Sequence, residues 1–379
     1  MESELKDMNR RPYMSPNRKL NRQAGFSMME LMISMATMTI VTGCAFALIG
    51  GSIKYTSATF HMTDAEETLR TAHEIVNRDL TTAGNGLKGV STIKLPRTFV
   101  ANYLTLTPDP TDPNYVNLAL VVSDDNIPTN TAVPQSNPAV NVLAGSDRIT
   151  MLTQDTSFNN GNAVSLFASQ ITVAGSATNL VVGAANIGLF QAGEMYAVNT
   201  QNGMAFGVVT SVNNVTNTLV MTNGDVYGLN QTGATAPIYA VAGLALGPSM
   251  AASIIRMQIS HYYVNANNLL VRRVFGVKGA AFVDSVIAEH VTNLQFRYLL
   301  NKTDPNGFVP QPTGLVAPAD LLTIREVEAT IGVETVRAVN VVTNSNSIST
   351  GCGASANGRQ TICSTTATTV RNLQFRKAL

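Results

Sequence analysis

The chain has 379 residues, 25 Lys and Arg against 24 Asp and Glu, a net charge of +1, and 45% hydrophobic residues. That balance, without a basic patch interleaved with aromatics, argues against direct nucleic-acid binding by the isolated chain. No repeat recurs at a fixed period, which excludes a solenoid, and no GxSxG, HExxH or phosphate-loop pattern is present.

Residues 1–25 carry Lys6, Arg10, Arg11, Arg18, Lys19 and Arg22 against Glu2, Glu4 and Asp7. The basic excess stands beside an apolar run, which predicts a cytoplasmic amino terminus by the positive-inside rule. The run covers residues 26–53 and would reach roughly 42 Å as a helix, more than the ~30 Å hydrocarbon thickness. A single pass would place everything after Lys54 outside the cytoplasm.

Glu30 is the one charged residue in residues 26–53. A carboxylate at bilayer depth costs at least ~2.5 kcal/mol, so an acid there is functional by default and needs a partner. A cut between Gly25 and Phe26 would supply one. The new Phe26 amine would lie four residues from Glu30, about 6 Å along one helix axis, and staggered helices could pair the same groups. Two other readings fit part of this segment. Val41-Thr42-Gly43-Cys44 matches a loose lipobox, in which Cys44 would be acylated, although Glu30 would then lie inside the signal and residues 45–53 stay apolar where a lipoprotein turns polar. An uncleaved anchor explains the length and flanking charge and leaves Glu30 unexplained.

Ala58, Met62, Ala65, Leu69, Ala72, Val76, Leu80 and Ala83 recur every three or four residues with charged residues between them. That spacing predicts an amphipathic helix over 54–84, stopped by Gly84. Gly43, Gly50 and Gly51 lie in the helical pattern, where each costs ~1 kcal/mol relative to alanine. They fit either close helix packing in the membrane or a segment that stretches on leaving it.

Beyond Gly84, runs rich in Val, Ile, Thr, Leu and Tyr alternate with Asn, Gly, Pro and Ser clusters, the pattern of antiparallel strands joined by turns. Strands are expected at Asn117–Val122, Arg148–Leu152, Met195–Val198, Phe206–Val212, Ile254–Val264, Val291–Leu299 and Val336–Val342. Residues 107–140, rich in Pro, Asn and Asp, read as a long surface loop or insertion. Residues 90–250 hold three basic and eight acidic side chains, so solubility there rests on Thr, Asn, Ser and Gly. The segment 85–379 is long enough for one large β domain or two smaller ones.

Cys352 and Cys363 flank a stretch rich in Gly, Ser, Ala and Asn. In an oxidising compartment the pair reads as a disulfide closing loop 352–363, worth ~3 kcal/mol by loop-closure entropy. It would serve as a contact face or only as a staple. Two cysteines without a nearby histidine do not make a zinc site. His61, His73, His261 and His290 lack metal-ligand spacing. No catalytic set, cofactor or metal is expected.

Arg22-Gln23-Ala24-Gly25 followed by Phe26-Ser27-Met28-Met29-Glu30-Leu31 resembles the class III signal of type IV prepilins. Ser27-Met28-Met29 replaces the usual Thr-Leu-Ile, and a leader of 25 residues is long. The resemblance implies cleavage by prepilin peptidase between Gly25 and Phe26, N-methylation of Phe26, and a role for Glu30 in assembly. Further segments are similar to PilW-like minor pilins: EETLRTAHEIVNRDLTTAGNGLKG at 66–89, GSDRITML at 145–152, FQAGEMYAV at 190–198, HYYVNANNLLVRR at 261–273, IAEHVTNLQFRYLL at 287–300 and VRNLQFR at 370–376. Residues 107–140 and 155–188 match nothing in that pattern.

The expectation is therefore an α+β, pilin-like chain. A leader at 1–25 precedes a transmembrane and filament-core helix at 26–53. An amphipathic helix at 54–84 then packs on a largely antiparallel β-rich head at 85–379. The resemblance implies a structural minor pilin, with other major and minor pilins, prepilin peptidase, an inner-membrane assembly platform and membrane lipid as partners. It would pass from the inner membrane to a surface filament serving motility, adhesion, uptake or secretion. The head of nearly 300 residues suits a tip or priming position better than the shaft. Two alternatives are a pseudopilin of a type II secretion system and an adhesin head carried on a pilin stalk, with 107–188 as its binding surface.

Overall fold

The computed structural model describes residues 25–87, 93–104, 115–118, 121–231, 238, 250–276, 281–300, 308–310, 324–339 and 358–370. Residues 1–24 of the expected leader 1–25, Cys352 and residues 371–376 of the closing VRNLQFR segment lie outside these. The chain divides into two units, Met1–Thr56 and Ser57–Leu379. The helix α1 runs Met28–Thr82. Gly84, with φ of 75°, follows it in the left-handed conformation that favours glycine.

The strands in chain order are β1 (Ile93–Pro96), β2 (Tyr115–Leu118), β3 (Val121–Asp124), β4 (Arg148–Gln154), β5 (Val164–Phe167) and β6 (Ile171–Ala174). Next come β7 (Ala177–Val181), β8 (Met195–Thr200), β9 (Gly203–Val208), β10 (Ser211–Asn213), β11 (Thr218–Thr222) and β12 (Ala251–Val264). The last are β13 (Leu270–Phe275), β14 (Phe282–Ala288), β15 (Val291–Leu299), β16 (Val309–Pro310), β17 (Glu326–Glu334) and β18 (Thr361–Thr369).

Among the described residues they form three sheets. The largest has the order β14-β13-β12-β8-β9-β1-β2, with β3, β4 and β5 attached through β4 and β12. The others are β10-β11-β7-β6 and β16-β15-β17-β18. All pairings are antiparallel except β1 with β9. The large sheet is organised by β12, whose 14 residues pair first with β5 and β8 and then with β4 and β13.

Side-chain alternation puts both faces of this sheet to use. On β8, Met195 and Ala197 enter one core while Tyr196 and Val198 enter another. The first core contains Leu69, Val76 and Leu80 of α1 with Leu294 and Phe296 of β15 and Val327 and Ile331 of β17. Each of those aliphatic side chains contributes about 1.5–3 kcal/mol on burial. In the second core, Leu180 of β7 and Leu219 and Met221 of β11 meet Ala205 and Ile254 of the large sheet. Gly207 lets these layers approach, because a Cβ there would stand 2.5 Å from Ile238 Cδ1 and 2.6 Å from Met221 Sδ. A third, small core joins Ile127, Val133 and Val142 to Tyr263 and Val271.

Several sequence expectations require correction. The loop expected at 107–140 contains β2 and β3, and its later part is packed through the third core; residues 105–114 lie outside the described set. Phe206–Val212 is not one strand, since β9 ends at Val208 and β10 starts at Ser211. No strand occupies the described part of Val336–Val342, up to Val339. There Thr335 Oγ1 accepts from Gln360 N at 3.0 Å and donates to Arg337 O at 2.8 Å, which turns the chain as β17 ends. The strand precedes it, at Glu326–Glu334, where Val327, Ala329, Ile331 and Val333 alternate inward. Cys363, expected in a floppy loop, lies within β18 opposite Gly332.

Candidate functional site

The proposed processing and assembly residues open α1. Gly25 is exposed, and Phe26 is 84% exposed. Ser27 caps the helix: its Oγ accepts from Met29 N at 3.3 Å, and Glu30 Oε2 accepts from Ser27 N at 3.2 Å. Ser27-x-x-Glu30 is thus a capping box, which satisfies donors that a helix start leaves open. The sequence signal for this local role is the Ser three residues before Glu, which the charge of Glu30 alone does not reveal. It means that a free Phe26 amine would compete with the Ser27 N–H for the Glu30 carboxylate.

Every residue from 25 to 49 is exposed, including Met32, Met35, Ile40, Phe46 and Leu48. Among the described residues α1 is the one helix long and apolar enough to cross a membrane. Several of its hydroxyls are satisfied within the helix: Ser34 donates to Glu30 O at 2.8 Å, Thr37 to Ile33 O at 3.0 Å and Thr39 to Met35 O at 2.8 Å. Such back-bonding removes the penalty of an unmet hydroxyl in an apolar medium. A Cβ added at Gly43, Gly50 or Gly51 would meet nothing within 4 Å, so packing within the chain does not require these glycines. Cys44 is a free, exposed cysteine on the same stretch.

Residues 57–82 have the opposite surroundings. Ala65, Leu69, Ala72, Val76 and Leu80 are buried as their spacing predicts, and two polar groups are buried with them. Asp79 accepts from Tyr262 Oη and from Arg272 Nε, each at 2.7 Å, fastening the helix to β12 and β13. His73 Nε2 lies 3.1 Å from Ser364 O and its Nδ1 lies 2.7 Å from Thr366 Oγ1, fastening the helix to β18. Burial lowers the pKa of His73, against the Ser364 carbonyl that would favour the charged ring. His261, beside Thr150, is held far below its usual value by burial and by Arg148 and Arg273.

The turn after α1 docks on β4, with Gly84 N donating to Leu152 O at 2.7 Å. Gly86 has a φ of 74°, and a Cβ on it would collide with the Gln154 side chain. The unmatched 155–188 segment is latched by Arg256, which donates to Asp155 at 2.8 Å and Glu194 at 3.0 Å. Among the described residues no three His, Cys, Asp or Glu side chains come together to hold a metal. Cys352 is outside the described residues, so its pairing with Cys363 stays a proposal.

No family model matches this chain, and no curated protein does. Among solved structures it is similar to a type IV-like pilin from Thermus thermophilus, at 15% identity over 31% of this chain and 69% of that one. With a TM-score of 0.20, that likeness carries no argument about the chain's role.

Proposed function

We propose that this chain is a non-catalytic subunit of a type IV pilus-like filament. It is inserted as a membrane precursor, cut between Gly25 and Phe26, methylated on Phe26 and assembled through the first half of α1. The supporting observation is a conjunction at one end of the chain. Gly25, Phe26 and Glu30 open a helix whose first turns are apolar, charged only at Glu30 and without a buried residue from 25 to 49. An apolar helix exposed on all sides needs lipid or other helices around it. Both are available to a subunit that moves from a bilayer into a filament.

Glu30 then exchanges partners. In the precursor it caps Ser27; in the filament it pairs with a Phe26 amine, most usefully that of a neighbouring subunit, so that addition neutralises two buried charges together. Other pilins, prepilin peptidase and a membrane assembly platform are the partners this requires. The large head supports a minor, tip or priming position, and the Cys352–Cys363 disulfide would tie the carboxy-terminal segment to β18.

Mass spectrometry of the amino terminus of membrane-extracted protein tests the pathway. A chain beginning at methylated Phe26 is expected, whereas an intact leader or an acylated Cys44 would remove the basis of the proposal. Glu30→Val should leave cleavage intact and reduce incorporation into filaments. Normal incorporation of that variant would refute the pairing role.

A further inference from the structure

Sheet edges offer unpaired N–H and C=O groups, and proteins guard them with short strands, Lys or Pro residues, or a covering element. Most edges here follow that rule. β2, β3, β5 and β6 have 4 residues each, β10 has 3 and β16 has 2. β18 has 9, and side chains of α1 bond to it, His73 Nε2 lying 3.1 Å from Ser364 O and Asn77 accepting from Thr368 Oγ1 at 2.8 Å.

β14 is the exception. It has 7 residues, Phe282–Ala288, without Pro or Lys, and among the described residues it pairs only with β13. Its one acid, Asp284, is occupied by Arg273, which donates to both carboxylate oxygens at 2.7 Å. Val283 and Val286 are 41% and 54% exposed. The strand ends at a groove of about 500 Å³ lined by Val286, Val336, Asp64, Glu67, Glu289 and Glu334. Glu334 pairs with Arg359 at 2.5 Å; among the described residues the other three carboxylates have no ion pair.

We propose that β14 is a docking edge for an extended segment of another protein, one that alternates apolar residues with Lys or Arg. Main-chain hydrogen bonds to β14 would supply affinity, as in strand addition generally. Val283 and Val286 point to opposite faces of the strand, so the apolar residues would cover Val283 while the cations, on the face of Val286, would meet Asp64, Glu67 and Glu289 in the groove that it lines. Charge decides against a described edge strand of a second copy as occupant, because among the described residues none of these strands, β2, β3, β5, β6, β10, β14, β16 or β18, contains Lys or Arg. The inference concerns the head alone and stands whether or not the chain is a filament subunit.

The test uses the full chain in a nonionic detergent and a fluorescent octapeptide alternating Val and Lys, with a Val and Glu octapeptide as control. Anisotropy should report binding of the first peptide, weakened by salt, and none of the second. Hydrogen exchange should slow on binding at the amides of residues 282–288. Val286→Lys, which installs an edge guard, and Glu289→Lys, on an exposed turn, should each weaken binding by about tenfold. No binding, equal binding of both peptides, unchanged affinity in both variants, or protection confined to other strands would overturn the proposal. So would dimerisation through β14 without peptide, seen by sedimentation and abolished by Val286→Lys.

Discussion

Residues 28–56 and 57–82 share one unbroken helix and differ in nearly everything that surrounds it. In the first, hydroxyls bond back to the helix, glycines face open space and no side chain is buried. In the second, an aliphatic stripe is buried and Asp79 and His73 bond to three strands of the head. The difference teaches that helical hydrogen bonding and tertiary commitment are separate properties: the first stretch buries no side chain among the described residues, whereas the second packs on the described strands. Substitutions should therefore act on head stability in the second and on assembly in the first.

The largest effect is expected at Asp79. Asp79→Ala leaves Tyr262 Oη and the partly buried Arg272 guanidinium without their acceptor, and should cost about 3–5 kcal/mol. Denaturant unfolding of the full chain in detergent measures it; a loss below about 1 kcal/mol would mean the clasp does not hold the helix to the sheet. Gly207→Ala comes next. It forces a methyl group into Ile238 and Met221 and should destabilise the head by about 1–3 kcal/mol, read by the same experiment.

A smaller effect is expected from pH. His73 and His261 both have pKa values lowered by burial, so the folded chain keeps them neutral where the unfolded chain takes up protons. Their contribution is fully present above the unfolded value of 6.5 and is lost as pH falls through the folded values. Asp147, raised to about 7 mainly by burial, acts in the opposite sense, so the histidine contribution is read by difference: between pH 7.5 and pH 5 the unfolding midpoint of the unsubstituted chain should fall relative to that of His73→Gln. An unchanged slope would show that His73 does not resist protonation in the folded head.

The smallest effect is expected at Gly43. Gly43→Ala meets no atom and adds up to ~1 kcal/mol of helix propensity, so the head should unfold as before. If the glycine serves close packing between subunits, incorporation into filaments should fall while amino-terminal processing stays normal. A change in head unfolding would break the contrast between the two stretches.

Local regularity was legible in residue order. Ala65, Leu69, Ala72, Val76 and Leu80 reveal their face by spacing alone, and Val291–Leu299 was bounded as β15 is. Glu326–Glu334 alternates just as clearly, whereas the valines of 336–342 have strand composition without a strand in their described part. The Ser27–Glu30 cap was equally readable, because a capping box is a contact between residues three apart.

Sequence by itself determined the apolar stretch with its one acid, the helix stop at Gly84 and the prevalence of short strands, since each depends on neighbours within a few positions. Tertiary structure alone decided that β12 joins two sets of strands, that Asp79 meets Tyr262 and Arg272, and that residues 155–188 build a second core. The Asp79 clasp and the Arg256 latch on Asp155 join residues about one hundred or more positions apart. Which edges end up covered is settled only when the sheets have packed, so β14 looks like any other short apolar run until the fold sets it at the rim of the large sheet among the described residues.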